Sequence, residues 1–192
     1  MMNLSKCKLL SGDASFRKFY RTSNNSVIVF SNKNKYSNLV VYEGINRCLN
    51  HNKVKAPKLK KEFYNKNYIE IEDLGDNSIY KILNKKKNKY QIYLNIIKTL
   101  KLIQKINLKS ITTFKKTKYT IPQYSKNKLL NESKLFLEWY LPKVLKKTKI
   151  RKAKNKIEII FDNLYKKLKL HKKVFVHRDF HVSNMMFHKK KI

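Results

Sequence analysis

A carboxylate followed five residues later by a carboxamide stands near the end of this sequence, in the run Val176-His177-Arg178-Asp179-Phe180-His181-Val182-Ser183-Asn184. Transfer of a phosphoryl group from ATP to an alcohol needs two things that such a run supplies. One is a carboxylate that orients the hydroxyl and accepts its proton. Aspartates ordinarily titrate near pH 3.9 and are ionised at neutral pH, which suits that task. The other is an oxygen ligand for Mg²⁺. Asp179 is the candidate catalytic base, His177 and Arg178 accompany it, and Asn184 is the candidate metal ligand. Taken alone, the same residues could equally form a surface ion pair and a turn.

Positioning such a loop requires a framework on both sides. Val174–Val176 and Met185–His188 read as short strands around it. The first seventy-odd residues read as strands with one helix. Ser15–Arg21 and Ser26–Phe30 are rich in β formers and joined by the polar turn Thr-Ser-Asn-Asn, a hairpin pattern. Asn38–Leu49 has helical spacing, with Val41, Ile45, Cys48 and Leu49 on one face and Ser37 as its cap. Lys58–Phe63 and Tyr68–Glu72 flank Tyr64–Asn67 as a second hairpin. After Asp73-Leu74-Gly75-Asp76 the pattern turns helical: Tyr90–Ile106, Lys126–Leu145 and Ile157–Leu170 are the predicted helices. The Lys-rich stretch 146–156 reads as a solvated helix end or loop.

Three further segments offer binding groups. Gly12-Asp13-Ala14-Ser15 fits a tight turn between strands, where backbone N–H groups can approach phosphate or simply close a hairpin. Arg17 and Arg21 alternate with aromatic residues beyond it, placed to reach phosphate or to face water. Glu72 and Leu74 sit at the change of pattern, where main-chain groups can pair with an adenine edge. Glu132 and Trp139 lie on a helix, as sugar-binding groups or as a cap and a core aromatic.

These segments carry a family resemblance. HRDFHVSNMM resembles the catalytic loop of aminoglycoside phosphotransferase-like and choline-kinase-like enzymes. SGDASFRKFYR (11–21), IEDLGD (71–76) and ESKLFLEWYL (132–141) resemble the nucleotide loop, the hinge and a helical segment of the anomeric N-acetylmuramate/N-acetylglucosamine kinases within that family. The four occur in family order across almost the whole chain. The resemblance implies an α+β, bilobal, protein-kinase-like fold with a β-rich N-lobe at 1–75 and a mainly helical C-lobe at 76–192. It implies ATP and Mg²⁺ as cofactors and phosphorylation of a sugar or amino-sugar hydroxyl. Choline or an aminoglycoside is the alternative acceptor. A catalytically inactive remnant that binds nucleotide is the alternative of another class.

The sequence departs from that pattern twice. Protein kinases carry a Lys on the third strand, paired with a helix Glu. Val27–Phe30 has none, which leaves Lys33 or Lys35 as substitutes and Glu43 as the helix carboxylate. The family also follows its loop with an Asp-Phe-x-Asp-like segment, whereas no Asp or Glu follows Asp179 here. An incomplete C-lobe, a fragment, and a 192-residue chain that is inactive alone are therefore expected.

Composition bounds the rest. The formal charge is +34, yet only 5 of 46 basic residues are Arg, the residue suited to bidentate readout of bases and phosphates. Lys, Asn, Ile and Tyr are abundant while Gly and Pro number 3 each, the skew of A+T-rich coding. The charge invites a nucleic-acid reading, but this composition discounts a specific nucleic-acid partner, a basic nucleic-acid-binding module being the least favoured class. Cys7 and Cys48 form no CxxC and suit a reducing cytoplasm. No apolar run reaches the roughly 18 residues of a membrane span. The expected state is a cytoplasmic monomer whose partners are ATP and a small hydroxyl acceptor.

Overall fold

The computed structural model describes residues 7–10, 16–168 and 174–188. The chain divides into two compact units, residues 1–121 with 174–192, and residues 122–173.

In the first unit, β1 (Lys8–Leu10), β2 (Lys18–Arg21), β3 (Ser26–Phe30), β4 (Leu59–Phe63) and β5 (Tyr68–Glu72) form one antiparallel sheet in the order β1-β2-β3-β5-β4. Val27, Ile28 and Val29 are buried, so β3 takes the centre, pairing with β2 and β5. Both expected hairpins form, and Asn67 closes the second with φ +63°, a conformation Asn tolerates better than most residues. Lys60, Lys61 and Glu62 give β4 a charged, exposed edge that discourages strand addition.

The expected helix at 38–49 is longer and begins differently. A π-helical stretch, Tyr36–Val41, leads into α1, Tyr42–His51. Ser37 is not its cap: Ser37 lies inside the π stretch, and its hydroxyl donates to the Asn34 carbonyl. Leu39 packs with Val27, Val29, Ile69 and Ile71 against the sheet. Cys48 and Leu49 from the end of α1 join Ile103 and Ile106 at the end of α3 (Tyr90–Gln104) and Ile111 of β6 (Ser110–Thr112) in a second cluster. The hairpin of β6 with β7 (Lys118–Thr120) was not expected; it interrupts the helical region.

A third cluster holds the loop. Ile79 and Leu83 of α2 (Ile79–Lys85), Ile96 of α3 and Met185 are buried together, and Phe180 packs against both this cluster and the second. The strands expected at 174–176 and 185–188 shrink to isolated pairing: Met186 bridges Ser78, and Phe187 N–H donates to Asn77 O at 2.8 Å. Too few residues run alongside one another there to make a ladder.

The second unit is helical. It contains α4 (Lys126–Leu135), a π-helical stretch Phe136–Tyr140, the short α5 (Leu141–Val144) and α6 (Lys147–Lys167). Leu137 and Leu141 are buried. Tyr165 and Ser133 hydroxyls meet at 2.5 Å, and Lys126 pairs with Asp162 at 3.0 Å, tying α4 to α6. The Lys-rich stretch is the exposed first half of α6.

Candidate active site

The loop residues converge. Asn184 Nδ2 donates to Asp179 Oδ2 at 2.5 Å and to the Asp179 carbonyl at 3.3 Å. His181 Nε2 lies 3.1 Å from Asp179 Oδ1 and 3.1 Å from Asn184 Nδ2. A short 3₁₀ turn, Val182–Asn184, spans the five-residue spacing and returns the carboxamide to the carboxylate. With the nitrogen of the amide turned to Asp179, the oxygen Oδ1 is the atom left for a cation.

Arg178 has φ +68°, the left-handed region that costs a non-glycine residue strain. This twist precedes Asp179 directly and sets the direction in which the carboxylate leaves the backbone. Arg178 therefore matters through its main chain, whatever its side chain does. His177 packs edge-on against Phe180, centroids 5.8 Å apart, across the intervening Arg178 and Asp179.

Asp179, Asn184 and His177 line a cavity of about 250 Å³, together with Leu74, Lys55 and Tyr42. Glu72 does not offer a carboxylate to this space unencumbered. Lys55 Nζ contacts its two oxygens at 2.7 and 2.6 Å. Burial acts to raise the Glu72 pKa, but the Lys55 ammonium, with smaller help from the Lys58 N–H and His188, holds it below the ordinary value. The Leu74 carbonyl lies 3.2 Å from His188 Nδ1. Gly75, with φ +83°, turns the chain immediately afterwards, and its N–H donates to Asp73 Oδ1 at 2.8 Å. Arg21 clamps this turn to β2, reaching Asp73 at 2.6 Å and Asp76 at 2.7 Å. Those two carboxylates hold the guanidinium charged far above its usual range.

The candidates for the missing strand lysine separate. Lys33 sits 5.3 Å over the Phe16 ring and Lys35 sits 4.1 Å over the Tyr64 ring. Glu43 is buried, with Arg47 at 3.7 Å and a Phe114 N–H as its partners. Burial raises its pKa, against the opposing pull of Arg47. Tyr42 and Asn46 are the α1 residues that line the cavity along with Leu49. Arg17 lies with its guanidinium carbon 4.7 Å from the Tyr42 ring centroid.

Gly12, Asp13, Ala14 and Ser15 lie outside the described residues. Glu132 and Trp139 belong to the second unit. Glu132 accepts a hydrogen bond from the Tyr124 hydroxyl, and Trp139 is 70% exposed. Trp139 is thus not a core aromatic. Tyr42, Lys55, His181 and His188 had no role assigned from the sequence. His181 alone carried a signal, being inside the loop motif.

Oxygen donors such as Asn184 Oδ1 and the Asp179 carboxylate are the hard ligands that Mg²⁺ takes, so these residues fit part of its coordination. Among the described residues no group of three or more His, Cys, Asp or Glu is placed to hold a metal, so phosphate and water oxygens would supply the remainder. No described helix is long and apolar enough to cross a membrane.

An α+β unit with a loop of this kind is a phosphotransferase scaffold. A profile of the phosphotransferase enzyme family (APH) matches residues 6–192, and the chain belongs to that family. It is also 23% identical over 182 residues to an N-acetylmuramate/N-acetylglucosamine kinase of Neisseria meningitidis serogroup B (strain ATCC BAA-335 / MC58). That match covers 92% of this chain and 51% of the relative, so the chain spans about half the relative's length.

Proposed function

We propose that the whole protein transfers the γ-phosphoryl group of ATP to a hydroxyl of a sugar or amino sugar: N-acetylmuramate or N-acetylglucosamine, as the name of its relative suggests, and the anomeric hydroxyl, as the sequence resemblance implies. The observation that carries this is the closure of Asp179 and Asn184 on one another in the lining of a cavity. Asp179 orients the acceptor hydroxyl and takes its proton as the new O–P bond forms and the bond to ADP breaks. Asn184 is a metal ligand through Oδ1; Mg²⁺, when bound, neutralises phosphate charge. His177 and Arg178 fix the loop. Leu74 offers main-chain groups to the adenine edge, with Glu72 and Lys55 supporting that wall. Gly12–Ser15 and Arg17 are assigned to the phosphates. Glu132 and Trp139 are assigned to the acceptor, an exposed indole being a surface on which a sugar ring can lie.

The test is calorimetric titration with ATP in the presence of Mg²⁺, followed by a phosphorylation assay of the whole protein. The acceptors are N-acetylmuramate, N-acetylglucosamine, choline and kanamycin. Saturable ATP binding and transfer to an amino sugar are expected. Transfer only to choline or kanamycin would replace the acceptor. Binding without transfer would make the protein a nucleotide-binding remnant, and absence of binding would overturn the reading altogether.

A further inference from the structure

Two stripes of α1 face different neighbours. Tyr42, Asn46 and Leu49, at spacings of four and three, line the cavity. Glu43 and Arg47, one residue further round and also one turn apart, engage the β6–β7 hairpin. The Glu43 carboxylate is paired with the Phe114 N–H, and Arg47 Nη2 donates to the Thr112 carbonyl. An acceptor and a donor one turn apart on the helix thus meet a donor and an acceptor two residues apart on the hairpin main chain. Gly44, beside Glu43, stands so close to Ile111 that a Cβ there would lie 2.9 Å from its Cδ1. At the start of the π-helical stretch, the Tyr36 hydroxyl lies 3.1 Å from Thr117 Oγ1. The central strand β3, Ser-Val-Ile-Val-Phe, offers Glu43 no cation. Resting on the nucleotide reading of this cavity, we infer that Glu43 is a positioning residue whose partner is the β6–β7 hairpin, and that this contact, not one to a strand lysine, fixes the α1 wall of the cavity.

The physical logic lies in what each kind of contact can fix. Apolar contacts are non-directional, so a helix held by them alone is free to slide and turn. Hydrogen bonds are directional, and two of them to one hairpin set both the height of α1 and its rotation about its own axis. Glu43 is 5% exposed, so its carboxylate carries a desolvation cost that only close partners offset. Those partners are the Phe114 N–H and the Arg47 guanidinium, 3.7 Å from Oε2. The hairpin is itself braced. Phe114 packs against the sheet cluster that holds Val29 and Ile69, and meets the Tyr64 ring edge-on with centroids 6.3 Å apart. Thr113 is buried; its N–H donates to the Thr117 carbonyl at 2.9 Å, and the two threonine hydroxyls stand 2.8 Å apart. One stripe of α1 therefore rests on a fixed element, and the residues of the other stripe take their places in the cavity from it.

The experiment measures ATP affinity by calorimetry with Mg²⁺ present, and main-chain hydrogen exchange, in the wild-type chain and in Glu43→Gln, Glu43→Leu and Arg47→Met. Glu43→Leu keeps bulk but has no acceptor. It should weaken ATP by roughly 5- to 50-fold, as the binding-competent position of α1 becomes the less populated one. Amides of α1 and of the β6–β7 hairpin should exchange faster together, at least about threefold, while those of β3 and β5 keep the wild-type rate. Arg47→Met should move both readouts the same way by a smaller amount. Glu43→Gln keeps an oxygen for the Phe114 N–H and should restore ATP affinity to within about twofold of the wild type. A glutamine variant as weak as the leucine variant would mean that the negative charge itself is required, as for a carboxylate holding a cation, and would overturn the inference. A folded Glu43→Leu chain that binds ATP like the wild type would reduce Glu43 to a structural residue and overturn it too. Should Glu43→Leu not fold, Arg47→Met decides: unchanged ATP affinity overturns the inference. A wild-type chain that binds no ATP overturns the nucleotide reading and this inference together. A chain that binds ATP yet tolerates all the variants overturns only the inference.

Discussion

Asn184 Nδ2 and Asp179 Oδ2 stand 2.5 Å apart, so the carboxamide is held with its nitrogen toward the carboxylate and its oxygen turned away. One contact thereby fixes two directions, that of the Asp179 carboxylate and that of the Asn184 side-chain oxygen. Asp179→Asn keeps the shape and removes the proposed proton acceptor. Turnover of the whole enzyme should fall at least ~100-fold, within the range of general-base contributions, while ATP affinity changes little. Steady-state kinetics alongside calorimetry checks both halves; near-normal turnover would remove Asp179 from the chemistry.

Arg178 makes a complementary prediction, because its φ of +68° belongs to the backbone and not to the guanidinium. Arg178→Gly should be tolerated by the fold, since glycine adopts that conformation without strain. Arg178→Val should cost about 1–2 kcal/mol, the penalty of a branched side chain in the left-handed region. Urea unfolding of the two variants separates them. Equal stabilities would show that the strain is not confined to this residue.

The Lys55–Glu72 pair predicts a pH dependence. Glu72 titrates below its ordinary value in the folded chain. Its contribution is therefore present above the unfolded glutamate pKa, about 4.3, and is lost as the pH falls through the lowered folded value. Lys55→Met removes the cation. It should destabilise the chain by roughly 1 kcal/mol at neutral pH, a partly exposed pair being screened by water. The difference between wild type and variant should shrink on acidification from about pH 6 to 3. A difference constant over that range would mean that Lys55 acts through its aliphatic stem and not its charge.

Gly44 tests how closely α1 packs on the β6–β7 hairpin. A Cβ there would stand 2.9 Å from Ile111 Cδ1 and 3.8 Å from Thr113 Cα. Gly44→Ala gains up to ~1 kcal/mol of helix propensity and loses a similar amount in displacing the Ile111 tip, so stability should move by less than about 1 kcal/mol. Gly44→Val adds branches where the hairpin backbone stands and should cost about 1–3 kcal/mol. Thermal unfolding measures both; a stabilised valine variant would show that this interface is loose.

Much of the architecture is written in local pattern. The alternation and turn residues of 18–30 and 59–72 specify two hairpins, and the spacing of Asp179 and Asn184 specifies the loop that joins them. The loop, with segments 11–21, 71–76 and 132–141, carries the family resemblance, and the phosphotransferase family match agrees with it. These features are legible because each depends on near neighbours: a strand period of two, a helix period of 3.6, or a turn of fixed length. The β6–β7 hairpin was missed although Ser-Ile-Thr-Thr-Phe-Lys-Lys-Thr-Lys-Tyr-Thr carries β-branched residues around a polar turn; strands three residues long leave little period to read.

Which residue faces the cleft is a different kind of fact. From the sequence Glu43 is the natural helix carboxylate, but Tyr42 and Asn46 line the cavity while Glu43 is buried against Arg47. Lys55 meeting Glu72 and Arg21 meeting Asp73 likewise depend on pairs 17 and 52 residues apart. The sequence by itself determined the sheet's hairpins, the loop motif and the class of chemistry, because those are set by residue type and short-range spacing. Only the tertiary structure decided which cations and carboxylates are partners, because helix phase and long-range packing, not spacing along the chain, bring charges into contact.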